Sequence, residues 1–172
     1  MLGFVTIAQK GQADAVLADL AADLIAAGYP VVGMVRECMP DERDCEMHLR
    51  LLPSGGITSI SQPLGPGSDA CMLDAGALEL AVEATARAIA AAPEGAVLIL
   101  NKFGKQEAMG RGCRPLIGQG LAAGMHVLIS VPPESRGAFD EFAGDMAQEL
   151  PPEPAALARF VGIELAATPK PL

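Results

Sequence analysis

Short apolar runs alternate along this chain with longer segments in which apolar residues recur at helical spacing. The apolar runs are residues 2–8, 30–35, 96–100 and 125–131, and each contains few polar side chains. Runs of this kind are typical of strands buried on both faces of a parallel sheet. They therefore predict the inner strands of such a sheet.

Helical spacing is found in segments that lie between or beyond the predicted strands. In residues 12–27 the apolar side chains fall on one face, and Asp74 is placed to cap a helix that runs to about residue 92. Two further helices are predicted near residues 115–123 and within residues 133–146. A last helix is expected after residue 151.

The order of these elements predicts the fold class. Strands that alternate with helices form right-handed crossovers, so we expect a three-layer α/β fold whose mainly parallel sheet has helices on both faces. Extended segments at residues 45–52 and 57–64 flank a Pro-Ser-Gly-Gly sequence and predict a β-hairpin inserted after the second strand. No internal repeat or linker is found, so residues 1–172 are predicted to form one domain.

The densest polar segment directly follows the third apolar run. Residues 101–112 combine lysine, arginine, amide and glutamate side chains with three glycines. In open α/β sheets, ligands bind beyond the carboxyl ends of the strands, which is where this segment would lie. Its positive charges, in a chain of formal net charge -9, favour a small anionic ligand over a merely solvated loop. The candidate ligand contacts are Lys102, Gly104, Lys105, Glu107, Gly110, Arg111 and Gly112.

Other segments are expected to reach the same edge of the sheet. The loop after the first strand contains Lys10 and Gly11, and Arg36 follows the second strand. The loop at residues 62–69 is rich in glycine and proline, and we expect it to lie beside residues 102–112 and to offer backbone N–H groups to the ligand. A rigid surface turn remote from the cleft is the alternative. The candidate contacts in this loop are Gly65, Gly67 and Ser68.

Composition and charge argue against several classes of protein. Aromatic residues make up 3% of the chain and the net charge is negative, which disfavours nucleic-acid binding. No apolar run is long enough to span a bilayer, and the N-terminus lacks the pattern of a secretion signal. We therefore expect a cytoplasmic protein. The sequence leaves open whether the chain forms a homo-oligomer.

The cysteines do not form a recognisable metal motif. Cys38, Cys45, Cys71 and Cys113 lack the CxxC spacing. Cys38, Cys45 and His48 together match no common zinc pattern, so no metal site is predicted. Reduced thiols are expected, some of them buried as small apolar groups.

The order of elements resembles that of the small P-loop nucleoside-triphosphatases known as thermostable or cancer-related NTPases. In those proteins a phosphate-binding loop follows the first strand, and an Asp-Glu-Ile-Gly-Lys-Met-Glu segment follows a later one. Residues 101–107 resemble the latter segment, with its Gly-Lys pair and last Glu retained. Asn101 and Lys102 replace its two acids, which would handle Mg²⁺ and water.

The loop after the first strand departs from the P-loop pattern. It does not match G-x-x-x-x-G-K-[ST]. Alignment on Gly11 places Ala13, Asp14 and Ala15 where glycine, lysine and a hydroxyl residue would stand. Because an aspartate repels phosphate and no hydroxyl is present to hold Mg²⁺, this loop is expected to bind a triphosphate poorly.

A closer resemblance, over nearly the whole chain, is to a bacterial family catalogued as a domain of unknown function. Residues 52–55, 60–68, 71–74, 101–107 and 110–112 resemble its recurring motifs. The resemblance implies a P-loop-like fold without an intact P-loop. Members of that family are often found beside genes for molybdate transport or molybdoenzymes, and molybdate is a tetrahedral oxyanion that the same donors would satisfy.

Three functional hypotheses follow. The first is a binding protein for a phosphate-bearing ligand such as a nucleotide, or for an oxyanion such as molybdate, without competent hydrolysis. The second is a nucleoside-triphosphate phosphohydrolase in which Glu107 orients water and Lys105 stabilises the transition state. The third is a regulatory or scaffold subunit that binds a protein partner. The missing P-loop lysine and strand-end acid favour the first, and the sequence identifies no cofactor.

Overall fold

The computed structural model of the chain describes residues 1–40, 46–65 and 70–164. The strands of its main sheet are β1 (Leu2–Val5), β2 (Val31–Glu37), β3 (His48–Leu52), β4 (Ile57–Ser59), β7 (Val97–Lys102), β8 (His126–Ser130) and β9 (Ala147–Glu149). A separate two-stranded sheet contains β5 (Ser61–Pro63) and β6 (Cys71–Leu73). The α-helices are α1 (Gln12–Ala26), α2 (Ala75–Ala91), α3 (Lys105–Ala108), α4 (Arg114–Ala122), α5 (Arg136–Ala143) and α6 (Pro154–Phe160).

The main sheet is mostly parallel. Its strand order is β4-β3-β2-β7-β8-β1-β9, and the five strands from β2 to β9 pair in parallel. The hairpin of β3 and β4 extends the sheet beyond β2 by antiparallel pairing. The carboxyl ends of β1, β2, β7 and β8 therefore meet at one edge, which is where the polar segments follow.

Helices cover both faces of this sheet. Because successive strand residues point to opposite faces, Leu98 and Leu100 pack in one apolar cluster with α2, α4 and α5, while Val97 and Ile99 pack in another with α1 and α6. These strand residues are almost completely buried. The predicted three-layer α/β class, resembling the P-loop NTPases, is confirmed.

Gly33 allows the two central strands to approach closely. Its φ of 136° lies in a region that other residues rarely adopt. A Cβ built at this position would overlap the carbonyl oxygen of Ile99 on β7. The glycine in the second apolar run is thus required by the pairing of β2 with β7.

The inserted hairpin differs from the prediction in its second half. The expected strand at residues 57–64 divides at the buried residue Ile60 into β4 and β5, and β5 pairs with the unpredicted strand β6. Segments of three residues are too short to show strand periodicity, which is why β6 and β9 were missed. Asp74 caps α2 as predicted, since its carboxylate accepts a 2.9 Å hydrogen bond from the Ala77 N–H.

The state of the cysteines differs in part from the prediction. The expectation of reduced thiols is wrong for Cys71, which is disulfide-bonded, because the spacing of cysteines in a sequence does not show which of them meet in space. Cys38 and Cys113 are free thiols.

Across residues 1–40, 46–65 and 70–164, no helix has the length and apolar character needed to cross a membrane.

Candidate functional site

A cavity of about 750 Å³ lies at the carboxyl edge of the parallel strands. We call it the polar cavity. Its walls come from the loop after β1, the first turn of α1, and the ends of β2, β7 and β8. Its charged lining residues are Lys10, Arg36, Lys102, Asp14, Glu46 and Glu134. Positive groups from three different elements therefore converge on one cavity of a strongly acidic chain.

The amino end of α1 opens into the polar cavity. Gly11 is its N-cap, with a φ of 78° and no side-chain capping bond, and both Gly11 and Ala13 line the cavity. The first N–H groups of a helix have no partner within the helix, and the helix dipole makes this end partly positive. An anion in the cavity would meet these N–H groups together with the lysine and arginine side chains.

Asp14 and Ser130, which both line this cavity, form a partly buried polar contact. The Ser130 hydroxyl, 1% exposed, bonds the Asp14 carboxylate and also lies 2.6 Å from the backbone oxygen of Asn101. Burial raises the pKa of Asp14, against the opposing effects of the Ser130 hydrogen bond and the positive charges of Lys102 and Arg36. The only carboxylate on the first turn of α1 is therefore less readily ionised than an exposed aspartate.

A second cavity, of about 340 Å³, adjoins the first. We call it the apolar cavity. Asn101, Lys102 and Glu134 line both cavities, together with Met47, Leu49 and Pro132. The apolar cavity lies between the sheet, the start of α2 and residues 102–107, and it is lined on the sheet and helix side by Met34, Met47, Leu49, Ile60, Leu73 and Leu78.

The polar segment after β7 is held by two buried side chains. Phe103 is completely buried and packs edge-on against Phe139, with ring centroids 5.2 Å apart. Glu107 is 5% exposed, and its two carboxylate oxygens accept hydrogen bonds of 2.8 Å from the Gly104 N–H and 2.9 Å from the Cys113 N–H. Glu107 thus joins the two ends of the segment from Gly104 to Cys113 through its carboxylate.

Gly112 completes this loop. It has a φ of 58°, and a Cβ at this position would overlap the Glu107 carboxylate. Cys113 is buried beside it, and burial, reinforced by the negative charge of Glu107, raises the pKa of the Cys113 thiol well above its ordinary value. A thiol of this kind is unreactive.

The structure brings together some of the predicted site residues and not others. Lys10, Gly11, Arg36 and Lys102 line the polar cavity, and Lys102, Gly104, Lys105 and Glu107 line the apolar cavity. Gly65, Gly110, Arg111 and Gly112 line neither of these cavities. Gly67 and Ser68 lie outside the described residues, and the expectation that their loop closes the cleft stays a prediction.

Several residues of the site were not identified from the sequence. Ser130 ends β8 and Glu134 follows it, so the carboxyl-edge rule could have been applied to β8 as it was to β7. Met47 and Leu73 gave no such signal, because only the folded hairpin and β6 bring them to the cleft. Within the described part of the chain, no group of three or more His, Cys, Asp and Glu residues could hold a metal ion.

Comparison with known proteins places the chain in a family. Residues 2–160 match the family described as "Protein of unknown function (DUF2478)". The chain is also 40% identical over 139 residues to the molybdenum import ATP-binding protein ModC 2 of Bradyrhizobium diazoefficiens. That match covers 80% of this chain but only 15% of the relative, so the chain corresponds to a small part of that protein. No solved structure matches the chain significantly.

These matches agree with the resemblance noted in the sequence. The recurring motifs at residues 52–55, 60–68, 71–74, 101–107 and 110–112 all fall within the matched range. The expected link between this family and molybdate-transport proteins is confirmed by the relative. Because the family match covers residues 2–160 of 172, the chain belongs to the DUF2478 family.

Proposed function

We propose that this protein binds a small anion, either a phosphate-bearing ligand such as a nucleotide or a related oxyanion such as molybdate, in the polar cavity. One observation supports this most strongly. Lys10, Arg36 and Lys102 come from three separate elements, yet they line the same cavity as the open amino end of α1. Basic side chains and the amino end of a helix are features that bind phosphates and similar anions.

The relative supports the same class of ligand. Its name describes an ATP-binding protein for molybdenum import. Both ATP and molybdate present tetrahedral anionic groups whose oxygens accept hydrogen bonds from lysine, arginine and backbone N–H groups. Neither ligand is preferred by the geometry of the polar cavity taken alone.

We further propose that the cavity binds its ligand without hydrolysing it. Phosphoryl transfer relies on a positioned lysine and on Mg²⁺ held by a hydroxyl and an acid. Here Asp14 stands at the lysine position of the aligned loop, and Asn101, the next-to-last residue of β7, stands where an acid would hold the metal. Glu107, which the sequence suggested for orienting water, already accepts hydrogen bonds at both carboxylate oxygens.

A thermal-shift panel tests the proposed function. Inorganic phosphate, sulfate, molybdate, tungstate, AMP and ATP would be compared with sodium chloride at matched ionic strength. A ligand at a hundred times its Kd stabilises the folded state by about 2.7 kcal/mol, so at least one anion should raise the Tm by roughly 5 °C or more. If no anion raises the Tm beyond the sodium chloride control, the polar cavity is not an anion site.

A further inference from the structure

We propose that the ligand is a phosphate ester with a planar apolar group, and that this group occupies the apolar cavity while the phosphate occupies the polar one. The inference rests on the anion-binding function proposed above and narrows it to one class of ligand. A bare tetrahedral oxyanion such as phosphate or molybdate would contact the polar cavity only. The two cavities are adjoining parts of one cleft, because they share Asn101 and Lys102 at the end of β7.

The lining of the apolar cavity on the side of the sheet and α2 suits an apolar group. Met47, Leu49 and Leu73 come from the inserted hairpin and β6, and Leu78 comes from the first turn of α2. Ligand sites of several hundred cubic ångströms are typically lined by apolar side chains with a few polar groups that fix orientation. The apolar cavity, at about 340 Å³, has this character, and the polar cavity beside it does not.

The position of Lys102 determines the orientation in which the ester binds. It lines both cavities, as Asn101 does, whereas Lys10 and Arg36 line only the polar cavity and Lys105 lines only the apolar one. The phosphate therefore belongs next to Lys102, towards α1, where Lys10 and Arg36 are also present, and the ring belongs on the far side of Lys102, towards α2. This arrangement predicts that an apolar group attached to the phosphate ester adds affinity.

Calorimetric titration with three probes tests the proposal. Inorganic phosphate, ribose 5-phosphate and AMP share an anionic group, and AMP differs from ribose 5-phosphate by its adenine ring. We expect AMP to bind at least about tenfold more tightly than ribose 5-phosphate, because the ring removes apolar surface from water. Equal affinities for these two esters would overturn the inference and leave anion binding intact. If none of the three probes binds, the inference fails, and the thermal-shift panel with molybdate, tungstate and ATP decides whether the proposed function fails with it.

A matched pair of variants locates the ring. Leu73→Ala removes apolar contacts from the apolar cavity, and Leu80→Ala makes the same change at a residue that is 68% exposed and lines neither cavity. Leu73→Ala should reduce the ratio of AMP affinity to ribose 5-phosphate affinity several-fold without changing the affinity for ribose 5-phosphate. Leu80→Ala should change neither affinity. If Leu73→Ala leaves the advantage of AMP unchanged, the ring does not occupy the apolar cavity. Because the comparison of AMP with ribose 5-phosphate uses the unaltered protein, it decides the question even if Leu73→Ala fails to fold.

Discussion

The Oγ atom of Ser130 contacts the Asp14 carboxylate and lies 2.6 Å from the backbone oxygen of Asn101. A hydroxyl has one proton, so Ser130 cannot donate to both oxygens at once. If Asp14 is protonated it can donate to Ser130, which then donates to Asn101, and every oxygen is satisfied. Burial of Asp14, which raises its pKa, also favours the neutral acid. The hydrogen bonds among Asp14, Ser130 and the backbone oxygen of Asn101 are thus best satisfied when Asp14 is neutral.

This relationship predicts how stability depends on pH. The pKa of Asp14 in the folded protein is raised above its ordinary value of 3.8, so the folded state holds the proton more tightly than the unfolded state. Its contribution to stability is present below 3.8 and is lost as pH rises through the folded pKa. Asp14→Asn cannot lose a proton. We therefore expect the free energy of unfolding of this variant, measured in urea, to increase relative to that of the unaltered protein as the pH rises from 3.8 through the folded pKa of Asp14.

Asp19→Asn is the control for the Asp14 experiment. Asp19 is exposed on the same helix, α1, and lines neither cavity, so its substitution makes the same chemical change away from Ser130 and Asn101. A pH-independent difference for Asp14→Asn would show that Asp14 has the same protonation state in the folded and unfolded chains.

Substitutions of Lys102 and Arg111 distinguish an anion site in the cleft from one elsewhere in residues 101–112. Lys102 lines both cavities, whereas Arg111 is exposed and lines neither. Lys102→Ala should weaken inorganic phosphate binding by about tenfold or more, since a charge-assisted hydrogen bond contributes roughly 1.5–3 kcal/mol. Arg111→Ala should leave the calorimetric Kd nearly unchanged. The reverse order of effects would place the anion near residues 110–112 instead.

Glu107 is predicted to be structural. Glu107→Gln replaces one of two buried acceptors by an amide N–H₂ group that faces a backbone N–H, at a cost of about 1–3 kcal/mol. Urea unfolding should show this loss, and Glu79→Gln, at an exposed position on α2, should shift stability by less than about 0.5 kcal/mol. A Glu107→Gln protein of full stability would contradict the assigned role.

Hydrolysis is expected to be at background level. Release of phosphate from ATP and GTP should be the same with and without Mg²⁺, because Asp14 and Asn101 stand where a lysine and a metal-binding acid would be needed. A coupled phosphate assay is sufficient to check this. Sustained Mg²⁺-dependent release that Lys102→Ala abolishes would favour a phosphohydrolase with a non-standard site.

The sequence was most informative where burial on both faces of a strand leaves a continuous apolar run. Residues 30–35, 96–100 and 125–131 predicted β2, β7 and β8, and the carboxyl-edge rule then placed Lys102 in the cleft. It was least informative about contacts between distant segments. The split of the hairpin at Ile60, which follows from the pairing of β5 with β6, has no periodic signal.

The role of Glu107 shows a second limit of the sequence. Its position beside lysines and glycines suggested chemistry, but the direction of its side chain depends on the backbone of Gly104 and Cys113. A charged side chain that caps its own loop and one that faces a ligand have the same local sequence pattern. Only the folded backbone distinguishes them.

Anion binding in the polar cavity is tested by an amide NMR titration of the isotope-labelled protein with inorganic phosphate, repeated with AMP. We expect saturable shifts at the N–H groups of Gly11, Ala13 and Lys102, around the polar cavity. Gly95 and Gly124, which line a cavity at the opposite, amino edge of the sheet, should not shift. Saturable shifts at Gly95 and Gly124, or no saturable shift at Gly11 and Ala13 with either probe, would contradict anion binding at the carboxyl edge.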